Sequence, residues 1–244
     1  MKQVGIIGFG RFGKVLTAVL QKGFDVVAFD PGPQMDADGV NFTSLKNVIQ
    51  SETIFLCVPI RKLKDVVVSI RDGINPKATI IDVCSVKLYP KKIMEKYLSQ
   101  NIGYIATHPL FGPESFQTNK NLKMMAYPQR YVYDIYSFWK HFFSGQGIEI
   151  IKIDPDTHDK LAANSQGITH FIGRSLKEFG AKRSTIDTEG FRNLLDLVNQ
   201  TCNDTWELYE DLQTYNPYTK VMIQQINDAI KVQTNKLTGG FNGK

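Results

Sequence analysis

A single histidine stands in the stretch Ala106–Ser115, which reads ATHPLFGPES and follows an apolar run. Two prolines and a glycine restrict the backbone of this stretch, and a restricted backbone can hold a proton donor or acceptor still. The sequence therefore predicts a catalytic imidazole at His108, on a turn just after a strand. The alternative is a structural histidine whose hydrogen bonds are all satisfied within the fold.

A second pattern suited to chemistry is a GxGxxG near the start of the chain, between an apolar run, Gln3–Ile7, and an amphipathic helix. Gly8 would form a tight turn, Gly10 would let a pyrophosphate approach the backbone, and Gly13 would let the helix pack closely on the strand. The positive end of the helix would attract the phosphates. The residues expected at the cofactor in this turn are Gly8, Gly10, Arg11, Phe12 and Gly13.

A second strand, Asp25–Phe29, ends in Asp30, about twenty residues beyond the glycines. An acidic side chain at this position binds the ribose hydroxyls of a dinucleotide and repels a 2′-phosphate. No arginine follows Asp30 closely. The sequence therefore favours NAD over NADP, and a plain tight turn without a cofactor is the alternative.

Short strands and helices alternate from Thr53 to Ile153 and predict an α/β fold, a doubly wound, mainly parallel Rossmann sheet. Ligands of such sheets bind at the carboxyl ends of the strands. Three strand ends should meet there and should carry Val58 and Pro59, Ser85 to Lys87, and His108. We expect Val58, Pro59 and Ser85 to line the cofactor site. For Ser85 a turn or helix-cap role is the alternative.

At Asp154 the pattern changes from alternating strands and helices to continuous helix, with Asp154 as N-cap and Pro155 as the first helical residue. This change divides the chain into a dinucleotide-binding domain, residues 1–154, and an all-helical domain, residues 155–244. Apolar residues in the later helices exceed what four helices of this size would bury. A homodimer through the helical domain is therefore expected.

The first helix of the second domain should run to about Gly180. Residues three or four apart share a helix face, so His158, Ala162, Gln166 and His170 would form one stripe. Gln166 and His170 on an alanine-rich face would need partners if buried, which points to a ligand. The alternative is a polar stripe facing solvent or a partner helix.

Composition excludes several classes of protein. The net charge is +5, but the basic residues are dispersed, which argues against a nucleic-acid partner. No apolar run is long enough to cross a bilayer, so a membrane partner is not expected. Three cysteines without CxxC spacing indicate neither a metal site nor disulfides. Since no leader precedes the first strand, we expect a cytoplasmic protein.

The sequence resembles the prephenate and arogenate dehydrogenases of tyrosine biosynthesis, and most of all their plant-type branch. The GxGxxG is shared by many families, whereas DVCSVK followed by THPLFGPES is specific. The stretches that carry the resemblance are IIGFGRFG, DVCSVK at Asp82–Lys87, THPLFGPES at Thr107–Ser115, HDKLAANSQGITHFIGRSL from His158, and the run from Asp187 to Asn216.

The resemblance implies an NAD(P)-dependent oxidative decarboxylation, in which hydride leaves the ring carbon that bears the hydroxyl and carbon dioxide departs. His108 and Ser85 match the catalytic pair of the family. A neutral imidazole at His108 would accept the hydrogen bond of the ring hydroxyl, with Ser85 orienting it. Activity should then fall below the ordinary histidine pKa of about 6.5.

The resemblance also implies a set of substrate contacts. Gln166 and His170 match positions that face the substrate, and Arg192 matches an arginine suited to clamp a carboxylate. Many bacterial members carry a further arginine, where this chain has Asp196 or Gln200. Carboxylate binding could instead fall to Lys87, Arg174 or the backbone.

Asp204 matches an acidic position of the arogenate-preferring plant-type members. Its carboxylate would pair with the ammonium of arogenate and repel prephenate, which carries a keto oxygen there. The sequence therefore favours arogenate. The alternative is that Asp204 caps a helix beginning at Thr205.

Two other functions remain open at this point. A β-hydroxyacid-type dehydrogenase would use a lysine of the helical domain, for which Lys160 is available, but it leaves His108 without a role. A non-enzymatic NAD(H)-binding redox sensor would need a DNA- or protein-binding module, and the sequence shows none.

Overall fold

The computed structural model describes residues 2–32, 37–118, 121–130 and 132–239. Its backbone contacts separate two compact units, with the division between His158 and Asp159. The boundary after residue 154, between a dinucleotide-binding domain and a helical domain, is a prediction from the sequence and stays one. The glycine-rich end that follows Gly239 lies outside the described residues.

The first unit is built on an eight-stranded sheet with the order β3-β2-β1-β4-β5-β6-β7-β8. Its strands are β1 (Gln3–Ile7), β2 (Asp25–Phe29), β3 (Val40–Phe42), β4 (Thr53–Leu56), β5 (Thr79–Asp82), β6 (Gly103–Pro109), β7 (Leu122–Arg130) and β8 (Ile148–Ile151). Its helices are α1 (Arg11–Leu20), α2 (Leu45–Val48), α3 (Leu63–Ile70), α4 (Leu88–Tyr97), α5 (Pro113–Thr118) and α6 (Tyr133–Gly145). The division between the units falls within the next helix, α7 (Pro155–Ala162).

The pairing of these strands is parallel except between β6 and β7, which run antiparallel. Strands β4, β5 and β6 are buried along their whole length, as expected of a sheet covered on both faces. This arrangement confirms the predicted doubly wound, mainly parallel α/β sheet followed by helices. The sequence did not predict β3, α2 and α5, because elements this short carry too little periodicity.

Aromatic side chains of α6 fill the core beneath the sheet. The indole of Trp139 is 5.0 Å from the rings of both Phe24 and Phe55, measured between ring centroids. Phe143 packs on the same indole at 5.7 Å. Offset and edge-to-face pairs of this kind stabilise a core beyond the area they bury.

The second unit is helical. A π-helical turn, Ala163–Gly167, follows α7, and the remaining helices are α8 (Ile168–Phe179), α9 (Glu189–Cys202), α10 (Trp206–Thr214) and α11 (Thr219–Thr238). Gly180 ends α8 with a left-handed φ of 83°. The π turn departs from 3.6 residues per turn. The predicted stripe of His158, Ala162, Gln166 and His170 therefore does not keep regular helical spacing. None of the described helices is both long and apolar enough to cross a membrane.

Candidate active site

The glycine turn after β1 has the geometry that a dinucleotide requires. Gly8 has a φ of 95°, and a Cβ there would clash with the carbonyl oxygen of Cys57. A Cβ at Gly13 would lie 2.6 Å from the carbonyl oxygen of Gly8, so only glycine lets α1 pack this closely. Gly10 is different, because among the described residues no atom outside its chain neighbours lies within 4 Å of its Cβ position. The turn therefore leaves open the space into which a pyrophosphate would approach.

Asp30 is fixed beside this turn at the end of β2. Its Oδ2 accepts a hydrogen bond from the backbone N–H of Phe9 at 2.6 Å, and its Oδ1 accepts one from Gly32 at 2.7 Å. Each carboxylate oxygen keeps a further lone pair. The carboxylate is thus positioned by the backbone and can still accept hydrogen bonds from ribose hydroxyls.

Other predicted cofactor residues lie around the same rim. Arg11, at the start of α1, forms an ion pair with Glu114 of α5. Val58 follows β4, with its Cγ1 3.0 Å from the Cβ position of Gly8, and Pro59 is exposed next to it. The open glycine turn, Asp30 and these neighbours fit a dinucleotide.

We expect Gly10→Ala to weaken NAD binding about tenfold without unfolding the protein. Apart from its chain neighbours, the added methyl group meets no atom of the described residues within 4 Å, and it would occupy the approach path of the pyrophosphate. Isothermal titration calorimetry measures the affinity, and thermal melting measures the fold. Gly8→Ala is the matched control, since its methyl group clashes with Cys57 and should lower the melting temperature. Unchanged NAD affinity in Gly10→Ala would contradict the assignment.

His108 lies inside β6, where it is paired with Met125 of β7. The sequence predicted a turn just after the strand, and that placement is wrong because the antiparallel ladder continues to Pro109. The side chain is 3% exposed. Its Nδ1 lies 2.8 Å from Nε2 of His158, which stands one turn into α7. The catalytic candidate is therefore held by a strand ladder and by a second imidazole.

A buried ionic network lies next to this histidine. Lys87 forms an ion pair with Asp82, and both side chains are fully buried. The Lys87 ammonium also donates to the carbonyl oxygen of Thr107, the residue before His108. Asp82 Oδ1 accepts from the hydroxyl of Tyr104 at 2.7 Å, and Asp82 Oδ2 accepts from the N–H of Cys84 at 3.0 Å. The structure thus places Lys87, a predicted substrate clamp, where its ammonium ties three segments together.

The surroundings of His108 hold its imidazole neutral. Burial lowers the pKa of His108 well below 6.5, and the neighbouring His158 and the Lys87 ammonium lower it further. This corrects the expectation that activity falls below an ordinary pKa of about 6.5. A neutral ring in weakly acidic solution is the form that can accept a hydrogen bond from a hydroxyl.

This depressed pKa predicts a loss of stability in mild acid. Below about pH 6.5 the unfolded chain binds a proton at His108 that the folded chain does not, so the free energy of unfolding should fall as the pH drops from about 7 to about 5. His170 adds to the slope, because burial lowers its pKa as well. Urea unfolding across this range measures the effect. The slope should be smaller in His108→Asn, and an identical slope in that variant would contradict the assignment.

Ser85 lies in the segment between β5 and α4 and is partly buried. Within the described residues it makes no hydrogen bond, so the structure does not join it to His108. The predicted pairing of Ser85 with the imidazole stays a prediction. In the structure the ring partner of His108 is His158, which the sequence placed on a stripe with Gln166 and His170.

The second unit gathers polar atoms that lack partners. Gln166 lies in the π-helical turn, and His170 and Arg174 follow on α8. Among the described residues, buried atoms of these side chains without a hydrogen-bond partner are Gln166 Oε1, His170 Nδ1 and Arg174 Nε. Buried polar atoms are nearly always paired, so these atoms are open to a water molecule or a polar ligand. Gln213 contributes a fourth orphan, Oε1, while its Nε2 donates to Gly167 at 2.9 Å.

Arg174 and Asp204 belong to this cluster. The Arg174 guanidinium lies over the rings of Trp206 and Tyr209, 5.8 and 5.2 Å from their centroids, and donates to the Asp204 carbonyl oxygen at 2.5 Å. Burial lowers the pKa of His170, while Asp204 opposes that shift. The cluster thus combines the Arg174 cation, the Asp204 anion and an imidazole, His170, whose surroundings favour its neutral form.

Asp204 does not cap α10. The cap is Thr205, whose hydroxyl accepts from the N–H of Leu208 at 3.2 Å. The alternative considered from the sequence, that Asp204 caps this helix, is therefore wrong, because the helix begins one residue later than assumed.

Arg192 is exposed, and its Nη1 donates to the Asp187 carbonyl oxygen at 2.8 Å. In the part of the chain that the structure describes, Arg192 makes no hydrogen bond or ion pair with the cluster.

Three groups of residues were missed by sequence reasoning. They are His158 as partner of His108, Asp82 and Tyr104 around Lys87, and Gln213, Trp206 and Tyr209 around the polar cluster. Asp82 could have been found, since it ends a buried strand five residues before a lysine. The others depend on contacts between segments far apart in sequence. No group of three or more metal-ligating side chains is present within the described ranges.

Comparisons with known proteins show which sequences and folds this chain is similar to. Residues 33–127 match the family model "Prephenate dehydrogenase, nucleotide-binding domain", and residues 175–244 match "TYRAAT1-like, C-terminal domain". Arogenate dehydrogenase 2, chloroplastic, from Arabidopsis thaliana is 30% identical over 97% of this chain and 70% of its own length. Arogenate dehydrogenase 1, chloroplastic, from the same plant is 31% identical over 97% of this chain, which spans 39% of that relative.

A solved structure shows the same fold. It is a crystal structure of prephenate dehydrogenase from A. aeolicus in complex with hydroxyphenyl propionate and NAD+. The TM-score is 0.78 at 15% identity, and the superposition covers 100% of this chain and 93% of that one.

Proposed function

The chain is a dehydrogenase of the arogenate and prephenate dehydrogenase family, and from that premise we propose that it oxidatively decarboxylates arogenate to tyrosine with NAD. The observation that carries the proposal is the buried His108 within β6, whose surroundings favour the neutral imidazole. In the sheet order β6 stands three strand spacings from β1, about 14 Å. A dinucleotide held at Asp30 and the glycine turn would extend along this rim towards the histidine.

When bound, the dinucleotide supplies a nicotinamide ring that accepts hydride. His108 accepts the hydrogen bond of the substrate hydroxyl at the carbon that is oxidised. As the electron pair of that C–H bond leaves, the hydroxyl becomes more acidic and its proton moves to the imidazole. Loss of carbon dioxide then returns an electron pair to the ring, which becomes aromatic. The proton on His108 is handed back to the phenolate oxygen, so the histidine ends the cycle neutral.

Asp30 supports NAD rather than NADP as the cofactor. Its carboxylate is fixed by two backbone N–H groups and keeps lone pairs for the 2′- and 3′-hydroxyls of ribose. A 2′-phosphate would bring a negative charge against this carboxylate. Comparing the affinities for the two dinucleotides tests the assignment, and tighter binding of NADP would overturn it.

The polar cluster of the second unit supports substrate binding by Gln166 and His170. Arg174 is the better supported carboxylate clamp, because its Nε is buried and lacks a partner. Arg192 is a second candidate for the carboxylate clamp, and its support is the resemblance to the dehydrogenase family. Lys87 is less suited to the task, because its ammonium is held by Asp82 and Thr107. Asp204 would pair with the ammonium of arogenate.

We expect Asp204→Asn to lower the preference for arogenate over prephenate about tenfold, measured as the ratio of the two kcat/KM values. The variant removes the charge that pairs with one substrate and repels the other. Asp196→Asn is the matched control, since it removes the same charge from an exposed residue paired with Arg183. We expect Asp196→Asn to leave the ratio of kcat/KM values unchanged. If Asp204→Asn also leaves it unchanged, Asp204 does not set the substrate preference.

The proposed activity is tested by mixing the purified protein with NAD and either arogenate or prephenate. Formation of reduced cofactor with release of carbon dioxide is expected. A β-hydroxyacid-type dehydrogenase would instead oxidise a β-hydroxyacid, and a redox sensor would bind NADH without turnover of any of these substrates. Cofactor binding without turnover of arogenate or prephenate would overturn the proposal.

We also propose a homodimer through the helical unit and a cytoplasmic location, both as predictions from the sequence. Exposed apolar side chains on α11 support the dimer, namely Val221, Ile230, Val232 and Leu237. A surface groove between α8 and α11 is lined mostly by apolar residues, among them Ile172, Ile226, Ile230 and Leu237. Sedimentation equilibrium should show a dimer in the full chain and a shift towards monomer in Ile230→Lys.

A further inference from the structure

The imidazole rings of His108 and His158 are held against each other from two sides. The strand ladder fixes His108, while α7 carries His158 one turn beyond its cap. That cap is Asp154, whose Oδ1 accepts from the N–H groups of Asp156 and Thr157 at 3.0 and 3.1 Å. The ring planes meet at 76°, and each side chain is 3% exposed. The contact between His108 Nδ1 and His158 Nε2 is therefore a built feature of the fold.

Proton counting limits what this hydrogen bond can be. Each neutral imidazole ring carries one N–H, so a hydrogen bond between two such rings uses the N–H of one and the lone pair of the other. If His158 donates, His108 accepts at Nδ1 and must carry its own hydrogen on Nε2. If His108 donates from Nδ1, its Nε2 keeps a free lone pair. The second arrangement alone lets His108 accept a hydrogen bond from a substrate hydroxyl at Nε2.

We propose that His158 is a positioning residue that accepts the Nδ1–H of His108 at 2.8 Å and so keeps Nε2 of His108 free to act as the base. This inference rests on the proposed function of His108. It assigns His158 the tautomer with its hydrogen on Nδ1. When His108 takes the substrate proton at Nε2, its Nδ1–H becomes a charge-assisted donor to His158, which stabilises the cation formed.

The tautomer can be read directly, without substrate. In protein labelled with ¹⁵N at histidine, long-range correlation of ring hydrogens to ring nitrogens distinguishes Nδ1–H from Nε2–H forms, and single variants of the four histidines assign the signals. We expect His108 in the Nδ1–H form near neutral pH. An Nε2–H form would overturn the inference. Because this measurement needs no turnover, its result can contradict the inference without contradicting the proposed activity.

Two substitutions separate positioning from mere packing. His158→Leu removes the acceptor, and we expect kcat to fall about 10- to 100-fold with KM little changed, while His108 shifts towards the Nε2–H form. His158→Gln places an amide oxygen near the position of Nε2, and most of kcat and the Nδ1–H form should return. Equal loss of kcat in both variants, with the His108 tautomer unchanged, would overturn the inference.

His141→Leu is the matched control, since His141 is an exposed histidine on α6 and its loss should change neither kcat nor the tautomer of His108. Thermal melting establishes that each variant is folded. If His158→Leu does not fold, the wild-type tautomer and the His158→Gln rescue still decide the question.

Discussion

Replacing His108 with asparagine is expected to lower kcat about 10³-fold while NAD binding is retained. Asparagine keeps a polar side chain next to His158, but it cannot take a proton at neutral pH. The proposed cofactor residues Gly10 and Asp30 follow other strands and are not changed. Stopped-flow measurement of cofactor reduction gives kcat, and calorimetry gives the NAD affinity.

His141→Asn is the control for this experiment, because it makes the same change on the exposed surface of α6 and should retain full activity. Near wild-type turnover in His108→Asn would remove His108 from the mechanism. Loss of both turnover and NAD binding would show a structural role instead, since a proton acceptor for the substrate is not needed to hold the dinucleotide.

Lys87→Met is expected to cost about 3 to 5 kcal/mol of the free energy of unfolding. It leaves the Asp82 carboxylate fully buried, with the Tyr104 hydroxyl and the Cys84 N–H as partners but without its cation. Asp82→Asn should cost a similar amount, because it strands the ammonium instead. The double variant, Lys87→Met with Asp82→Asn, should recover much of the lost free energy of unfolding, since it contains neither buried charge. Urea unfolding of the four proteins measures the coupling.

Lys91→Met provides the comparison, since Lys91 lies on α4 one turn after Lys87. Lys91 pairs with Glu95 at 3.0 Å, both side chains are partly exposed, and the pair should contribute less than about 1 kcal/mol. If Lys87 were instead the substrate clamp, its replacement would raise KM without a large loss of stability. That outcome would contradict the structural role assigned to Lys87.

Motifs that act through the local backbone were predictable from the sequence. The GxGxxG fixed the turn between β1 and α1, because the φ of 95° at Gly8 and the close approach at Gly13 exclude larger residues. Asp154 was recognised as a helix cap for a similar reason, since a cap bonds to N–H groups two or three residues away. Continuous apolar runs identified the buried strands, because a covered sheet must be apolar on both faces.

Contacts between distant segments were not predictable in this way. His108 was placed on a turn, whereas its pairing with Met125 keeps it inside a strand. Lys87 was expected to face a substrate, but the fold brings Asp82 and Thr107 to its ammonium. His158 was assigned to a stripe on regular helical spacing, and the structure joins it to His108 across fifty residues of sequence.

The sequence by itself determined the fold class, the glycine turn after β1 and the identity of the candidate base, because each follows from residue types at short, fixed spacings. Only the tertiary structure decided the environment of that base. Burial, the second imidazole and the Lys87 ammonium lower the pKa of His108, and all three arise from side chains that the chain brings together after it folds.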